Sequence, residues 1–251
     1  MQTILRGLTL LTALATASVN SAEPVRLDSG ERTAALVELF TSEGCHSCPP
    51  ADEWLSDLKA DPRLWKTVIP VAFHVDYWDY IGWPDRFAVP ANTDRQRNHR
   101  VLGNVYSVYT PGFVVDGREW RGWFRRPVLS DSGRSAPGRL QAAIDGERIE
   151  AVFDPHRKLP APLELHMAIL GMGLSTDVEA GENAGKRLDH DFVVLRQYRW
   201  ALREEADGKQ SMASDFRLPR SNAQSLAVAV WVSSPGTQMP LQAVGGPLPT
   251  R

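Results

Sequence analysis

The chain has 251 residues, with 28 Lys and Arg against 30 Asp and Glu, for a formal net charge of −2. A charge so close to balance excludes the electrostatic appetite of a basic protein for nucleic acid or anionic lipid, so no nucleic-acid partner is expected. At 43% hydrophobic and 23% charged residues the composition is that of a soluble globular protein, long enough for one large domain or two modest ones.

The first 22 residues differ in kind from the rest. Arg6 is the only charge before Glu23, an apolar core runs from Gly7 to Ala15, and Ala17, Ser18, Ser21 and Ala22 supply small residues. This order reads as a secretory signal peptide over residues 1–22, cut after Ala15-Thr16-Ala17 or near Ser21 or Ala22. The expected location is therefore periplasmic or secreted. No later run approaches the roughly 18 apolar residues a membrane span needs, so no stable membrane insertion is expected once the signal is gone.

Export governs the reading of the two cysteines, Cys45 and Cys48. In an oxidising compartment they are free to form a disulfide. A ring closed across two intervening residues removes little chain entropy, which makes stability a weak reason for having it.

In chain order, residues 34–41 form a nearly continuous apolar run suited to a buried strand. After a turn and the Cys45-His46-Ser47-Cys48 segment, Ala51, Trp54, Leu55 and Leu58 fall at helical spacing. Pro49 and Pro50 stand in the first turn, where proline is tolerated, and Asp61-Pro62 stops the helix. Residues 68–75 read as a second buried strand, so strand, helix and strand imply a parallel pair. An aromatic stretch, 77–84, is too irregular for a regular element. Residues 91–102 look helical and basic, with Arg95, Arg97 and Arg100 on a solvated face. Thr110-Pro111 precedes a short strand at 113–115, Asp116-Gly117 is a two-residue hairpin turn, and 118–120 return. A last helix is expected over 137–146, with Leu140, Ala143 and Ile144 as its apolar face. Beyond about 150, alternation with period two at 163–169, 192–200 and 225–232 points to an all-β, sandwich-type region.

The β-α-β-α-β-β-α order, with Cys-x-x-Cys where the first strand meets the first helix, resembles thioredoxin-like oxidoreductases. More specifically, Val37 to Asp52, Phe73 to Tyr80, Tyr109-Thr110-Pro111 and Gly181 to Lys186 resemble DUF1223, an uncharacterised family of secreted bacterial proteins. The expected fold class is α/β: a thioredoxin-like domain over 30–149, followed by a smaller β-sandwich-like domain over 150–251.

The resemblance implies thiol–disulfide oxidoreductase chemistry on protein thiols and disulfides or on a small thiol. Cys45 would attack from a helix N-terminus, whose free N–H groups and dipole favour the thiolate, and the less exposed Cys48 would resolve. His46 would add charge or a hydrogen bond to the thiolate. Pro111 would be cis and face the cysteines, with Thr110 offering its backbone to substrate. Glu38 is a candidate proton shuttle for Cys48. Relatives place that acid six residues before the first cysteine, where this chain has Leu39, so Glu38 should point to the opposite face of its strand. Asp76, Tyr77 and Trp78 either wall the cleft and bind substrate or plug the end of the core.

Two rival readings stand beside this one. Cys45, His46, Cys48 and His74 are ligands suited to copper(I), whose delivery is the alternative function; otherwise no cofactor or metal is expected. His99, His156, His166 and His190 are scattered, as structural or surface residues are. Alternatively the chain is a non-catalytic binding module, since Pro49 disfavours helical backbone at Cys48.

Overall fold

A computed structural model describes residues 23–125, 129, 137–159 and 162–249. The signal segment, 1–22, lies outside the described residues.

The first part of the chain builds β1 (Val25–Asp28), β2 (Ala35–Thr41), α1 (Pro49–Asp57), β3 (Val68–His74), α2 (Pro90–Val101), β4 (Gly112–Val115) and β5 (Arg118–Glu119). Strands β2 and β3 are parallel, in register from Ala35 opposite Val68 to Thr41 opposite His74, with α1 as their crossover. The β4–β5 turn has Asp116 at φ 51° and Gly117 at φ 73°, the left-handed pair that a two-residue hairpin requires.

The next segment corrects the expected last helix. Residues 137–146 hold β6 (Gly138–Asp145), a strand that pairs antiparallel with β7 (Arg148–Pro155). Leu140, Ala142 and Ile144 are buried, while Arg139, Gln141 and Asp145 are exposed. The period-two pattern prevails because Gly146, at φ 57°, turns the chain straight back onto its neighbour.

The remaining strands are β8 (Glu164–Met172), β9 (Leu174–Asp177), β10 (Arg187–His190), β11 (Val193–Ala201), β12 (Arg203–Glu204), β13 (Gln210–Asp215), β14 (Ser225–Ser233) and β15 (Pro240–Pro247). They overturn the expected α/β class and its division into a thioredoxin-like domain and a smaller β domain. Strand dominates the molecule. One eight-stranded mixed sheet, ordered β15-β14-β8-β11-β3-β2-β4-β5, draws on both halves of the chain. The seam is β3–β11, where Val193 pairs parallel with Ala72 and the Ala72 amide donates to the Phe192 carbonyl at 2.8 Å. A second sheet, β1-β6-β7-β13-β12, packs on the far half of the first, and β9–β10 form a separate hairpin.

Three packed regions follow. Leu140, Ile144, Ile149 and Phe153 of the smaller sheet meet Leu165, Met167, Val228 and Val230 of the larger. On the near half, residues of β2 and β3 alternate between two faces. Leu36, Phe40, Ile69, Val71 and Phe73 share one core with Trp231, and Arg95 of α2 lies over the Phe73 and Trp231 rings. Val37, Leu39, Val68 and Ala72 face the other way, against Ala51, Trp54 and Leu55 of α1. Each large side chain buried this completely contributes about 1.5–3 kcal/mol. Among the described residues, no helix is long and apolar enough to cross a membrane.

Candidate functional site

Cys45 and Cys48 form a disulfide, with their Cα atoms 5.4 Å apart. The helix stands where expected, but Cys48 and not Cys45 is its N-cap, and Cys45 lies in the turn before it. Pro49 and Pro50 fill the first two helical positions, so two of the usual free N–H donors do not exist. The next two, of Ala51 and Asp52, donate to the Cys48 carbonyl at 2.8 and 3.1 Å. The expected fan of amides aimed at the Cys45 sulfur is therefore absent. The expectation of an accessible Cys45 is corrected too, because it is 1% exposed and Cys48 is fully buried.

The loop around the disulfide is held independently of it. The Cys45 amide donates to the Ser42 carbonyl, Gly44 N–H to Ser42 Oγ, and Glu43 N–H to Asp85 Oδ2. The Asn183 side-chain amide donates to the carbonyls of Glu43 (2.8 Å) and Cys45 (3.0 Å). Glu182 Oε2 accepts the His46 amide at 3.0 Å. The family-like segment 181–186 thus clamps the cysteine loop from far away in the chain. His46 and Ser47 are exposed, and the Cys45 sulfur touches the Ser47 hydroxyl at 3.5 Å.

The other expected site residues divide. Thr110-Pro111 is a cis peptide, as the resemblance implies, and Thr110 Oγ1 accepts the Trp78 indole N–H at 2.6 Å. Trp78 backs the cysteine loop closely: a Cβ on Gly44 would stand 3.2 Å from the Trp78 Cβ. Asp76 and Tyr77, by contrast, anchor α2. Asp76 accepts the Thr93 hydroxyl at 2.6 Å, and the Tyr77 hydroxyl donates to Gln96 at 3.0 Å. Burial pushes the Tyr77 phenol up to about 12.

Glu38 lies on the opposite face of β2 from α1, as its position relative to Leu39 implies. That placement turns it away from Cys48 and toward Arg95 and His99. It is fully buried, with Arg95 Nε at 2.6 Å and His99 Nε2 at 3.4 Å. Burial favours the neutral acid, yet Arg95 and His99 outweigh it and hold the pKa at about 2. Arg95 and His99 are accordingly core residues, and of the three expected arginines only Arg97 and Arg100 lie on a solvated face.

A second buried polar cluster lies on the α1 face, and sequence reasoning missed it. Asp52, on the helix turn after Cys48, is 7% exposed and its Oδ2 accepts the Thr41 hydroxyl at 2.9 Å. Burial pushes its carboxyl pKa up. His74 ends β3 and His190 ends β10, and the ligand-type atoms of Asp52, His74 and His190 lie within 4.8 Å of one another. His74 Nδ1 is 2.6 Å from Asp85 Oδ2. Burial opposes charge on the imidazole, but Asp85 prevails and the His74 pKa is raised. Both cysteine sulfurs are engaged in the disulfide, and His74 lies in this cluster with Asp52 and His190.

These features define a predominantly β protein with a helix-capping Cys-x-x-Cys disulfide next to a buried carboxylate–imidazole cluster. The chain belongs to the DUF1223 family, whose model, described as a protein of unknown function, matches residues 36–233. Among solved structures it is similar to protein AGR_C_4864 from Agrobacterium tumefaciens, at 23% identity and TM-score 0.59, over 86% of this chain and 94% of that one. It is also similar to HBP35 of Porphyromonas gingivalis, at 18% identity and TM-score 0.61, over 88% and 76%. At these identities the likeness is one of fold. No curated protein matches the chain.

Proposed function

We propose that the protein is exported and carries out thiol–disulfide exchange at Cys45–Cys48, with a protein or small thiol as partner. The observation that carries this reading is the redundancy of the disulfide as a staple. Loop amides donate to Ser42, Asp85 and Glu182, and Asn183 donates to the Cys45 carbonyl, which supports a loop that keeps its shape in either redox state. A ring this small adds little chain-entropy stabilisation.

In the oxidising direction the disulfide form of the protein acts, with Cys45–Cys48 as the bond that is broken. A substrate thiolate attacks Cys45 Sγ, the Cys45–Cys48 bond breaks, and Cys48 leaves as a thiolate that takes up a proton. A second substrate thiol then displaces Cys45, leaving a substrate disulfide and a protein dithiol. The reverse sequence reduces substrate. Exchange requires the loop to open, because Cys45 is 1% exposed; its sulfur touches the exposed Ser47 hydroxyl at 3.5 Å, and Trp78 packs against Gly44 of the same loop.

The test is exchange with a model dithiol and trapping of partners on a Cys48→Ala variant, which cannot resolve a mixed disulfide on Cys45. Cys45→Ala should abolish exchange. Wild-type exchange rates in Cys45→Ala would refute the proposal.

A further inference from the structure

The Asp52–His74–His190 cluster has a feature that protein contacts alone leave unexplained. His190 is 2% exposed, and neither of its ring nitrogens has a hydrogen-bond partner. His74 is fully buried, and its Nε2 is likewise unpartnered. The nearest acid to His190 is Glu43, whose Oε1 stands 3.3 Å from Nε2 as an ion-pair contact without hydrogen-bond alignment, and that oxygen has no hydrogen bond either. Buried polar atoms are nearly always satisfied, so unpartnered nitrogens on two neighbouring imidazoles call for a missing partner.

We infer that Asp52, His74 and His190 form a binding site for a divalent transition-metal ion of the zinc type, with the fourth position open to water or another ligand. Two imidazoles and a carboxylate are a donor set that zinc accepts, and three protein ligands plus one more position complete its tetrahedron. Donor atoms around tetrahedral zinc stand about 3.3 Å apart, for bonds of about 2.0 Å. The cluster, within 4.8 Å, needs only a small inward movement of side chains. The surroundings are those of a built site. Asp85 accepts from His74 Nδ1 at 2.6 Å, which fixes the ring and leaves Nε2 to the metal, and Asp85 is itself held by the Glu43 and Phe87 amides. Thr41 likewise orients Asp52. Such carboxylate–histidine–metal relays set the tautomer and orientation of the ligand. The site lies at the carboxyl ends of β2 and β3, where the turns between strand and helix leave room for ligands. Its ligands include no cysteine, so it goes beyond the exchange reading and does not depend on it.

The experiment titrates the full chain, stripped with a chelator and then dialysed, with Zn²⁺ alone against a chromophoric competitor. One equivalent should bind, with Co²⁺ giving the absorption of a tetrahedral nitrogen–oxygen site. His190→Gln should weaken Zn²⁺ at least about 100-fold and Asp85→Asn about 10- to 100-fold. The Cys45→Ala/Cys48→Ala protein should bind as the wild type does. Absence of stoichiometric Zn²⁺ binding by the wild type would overturn the inference, as would undiminished binding in folded His190→Gln. Because His74 and His190 are core residues, X-ray absorption on the Zn²⁺-loaded wild type provides a check without substitution. Two imidazoles and no sulfur are expected, and a sulfur shell or a spectrum without imidazole would overturn the assignment.

Discussion

The two faces of the β2–β3 pair each bury a polar cluster, and they solve the problem of burial differently. On the α2 face, Glu38, Arg95 and His99 pair charge with charge, and every member has at least one partner; His99 is also within 3.1 Å of the Asn104 side-chain amide. On the α1 face, neither ring nitrogen of His190 has a hydrogen-bond partner, although it lies beside Asp52 and His74 and within 3.3 Å of a Glu43 oxygen. The α2 face neutralises its buried charge by direct pairing, whereas the α1 face leaves ring nitrogens without a partner.

The sharpest way to separate the faces is to break the closed one. Arg95→Ala leaves Glu38 charged in an apolar core and removes the cation from over Phe73 and Trp231. Urea unfolding should show a loss of about 3–5 kcal/mol, while the reduction potential of the disulfide stays put. A shift in that potential would mean that the two faces are coupled.

Acid titrates the same contrast. The Glu38 pKa is about 2 in the fold against the ordinary glutamate value of 4.5, so its contribution is fully present above the unfolded value and is lost as pH falls through the folded one. By linkage that contribution is about 3 kcal/mol. Wild-type stability should fall between pH 5 and 2, taking these limits as roughly the window linkage sets. In Glu38→Gln this part of the acid limb should be missing; an unchanged limb would show that Glu38 is not held ionised.

The α1 face should respond more gently. Asn183→Ala removes both hydrogen bonds to the Glu43 and Cys45 carbonyls, at an expected cost of about 1–3 kcal/mol. Reduction of the disulfide by dithiothreitol should also become faster, because the loop is freer to open. Smallest of all, Cys45→Ala/Cys48→Ala should lower stability by no more than about 2 kcal/mol. A larger loss would mark the disulfide as a structural staple.

Much of the first part was legible because its signals are local. The apolar runs at 34–41 and 68–75, the helix after Cys48, the basic helix and the Asp116-Gly117 turn all stand where periodicity and turn chemistry place them. Residues 137–146 misled because Leu140 and Ile144 suit a helical face as well as a strand, and only pairing with β7 decides between them. The single sheet was illegible for a different reason. Its seam joins Ala72 to Val193, a long-range pairing with no local mark.

The site divides along the same line. Cys45, Cys48 and the Thr110-Pro111 peptide could be read from motif, and so could the family likeness of 181–186, though not its role as a clamp. Asp52 looked like an ordinary first-turn acid, and His190 one scattered histidine among several. Their meeting depends on where α1, β3 and β10 end relative to one another, which tertiary packing alone specifies.

The most direct test of the account is the reduction potential of Cys45–Cys48, measured by equilibration with glutathione buffers. A disulfide that cycles should fall within about −120 to −270 mV, the range spanned by exchange proteins. A value below about −300 mV would identify an inert structural bond and contradict the exchange function.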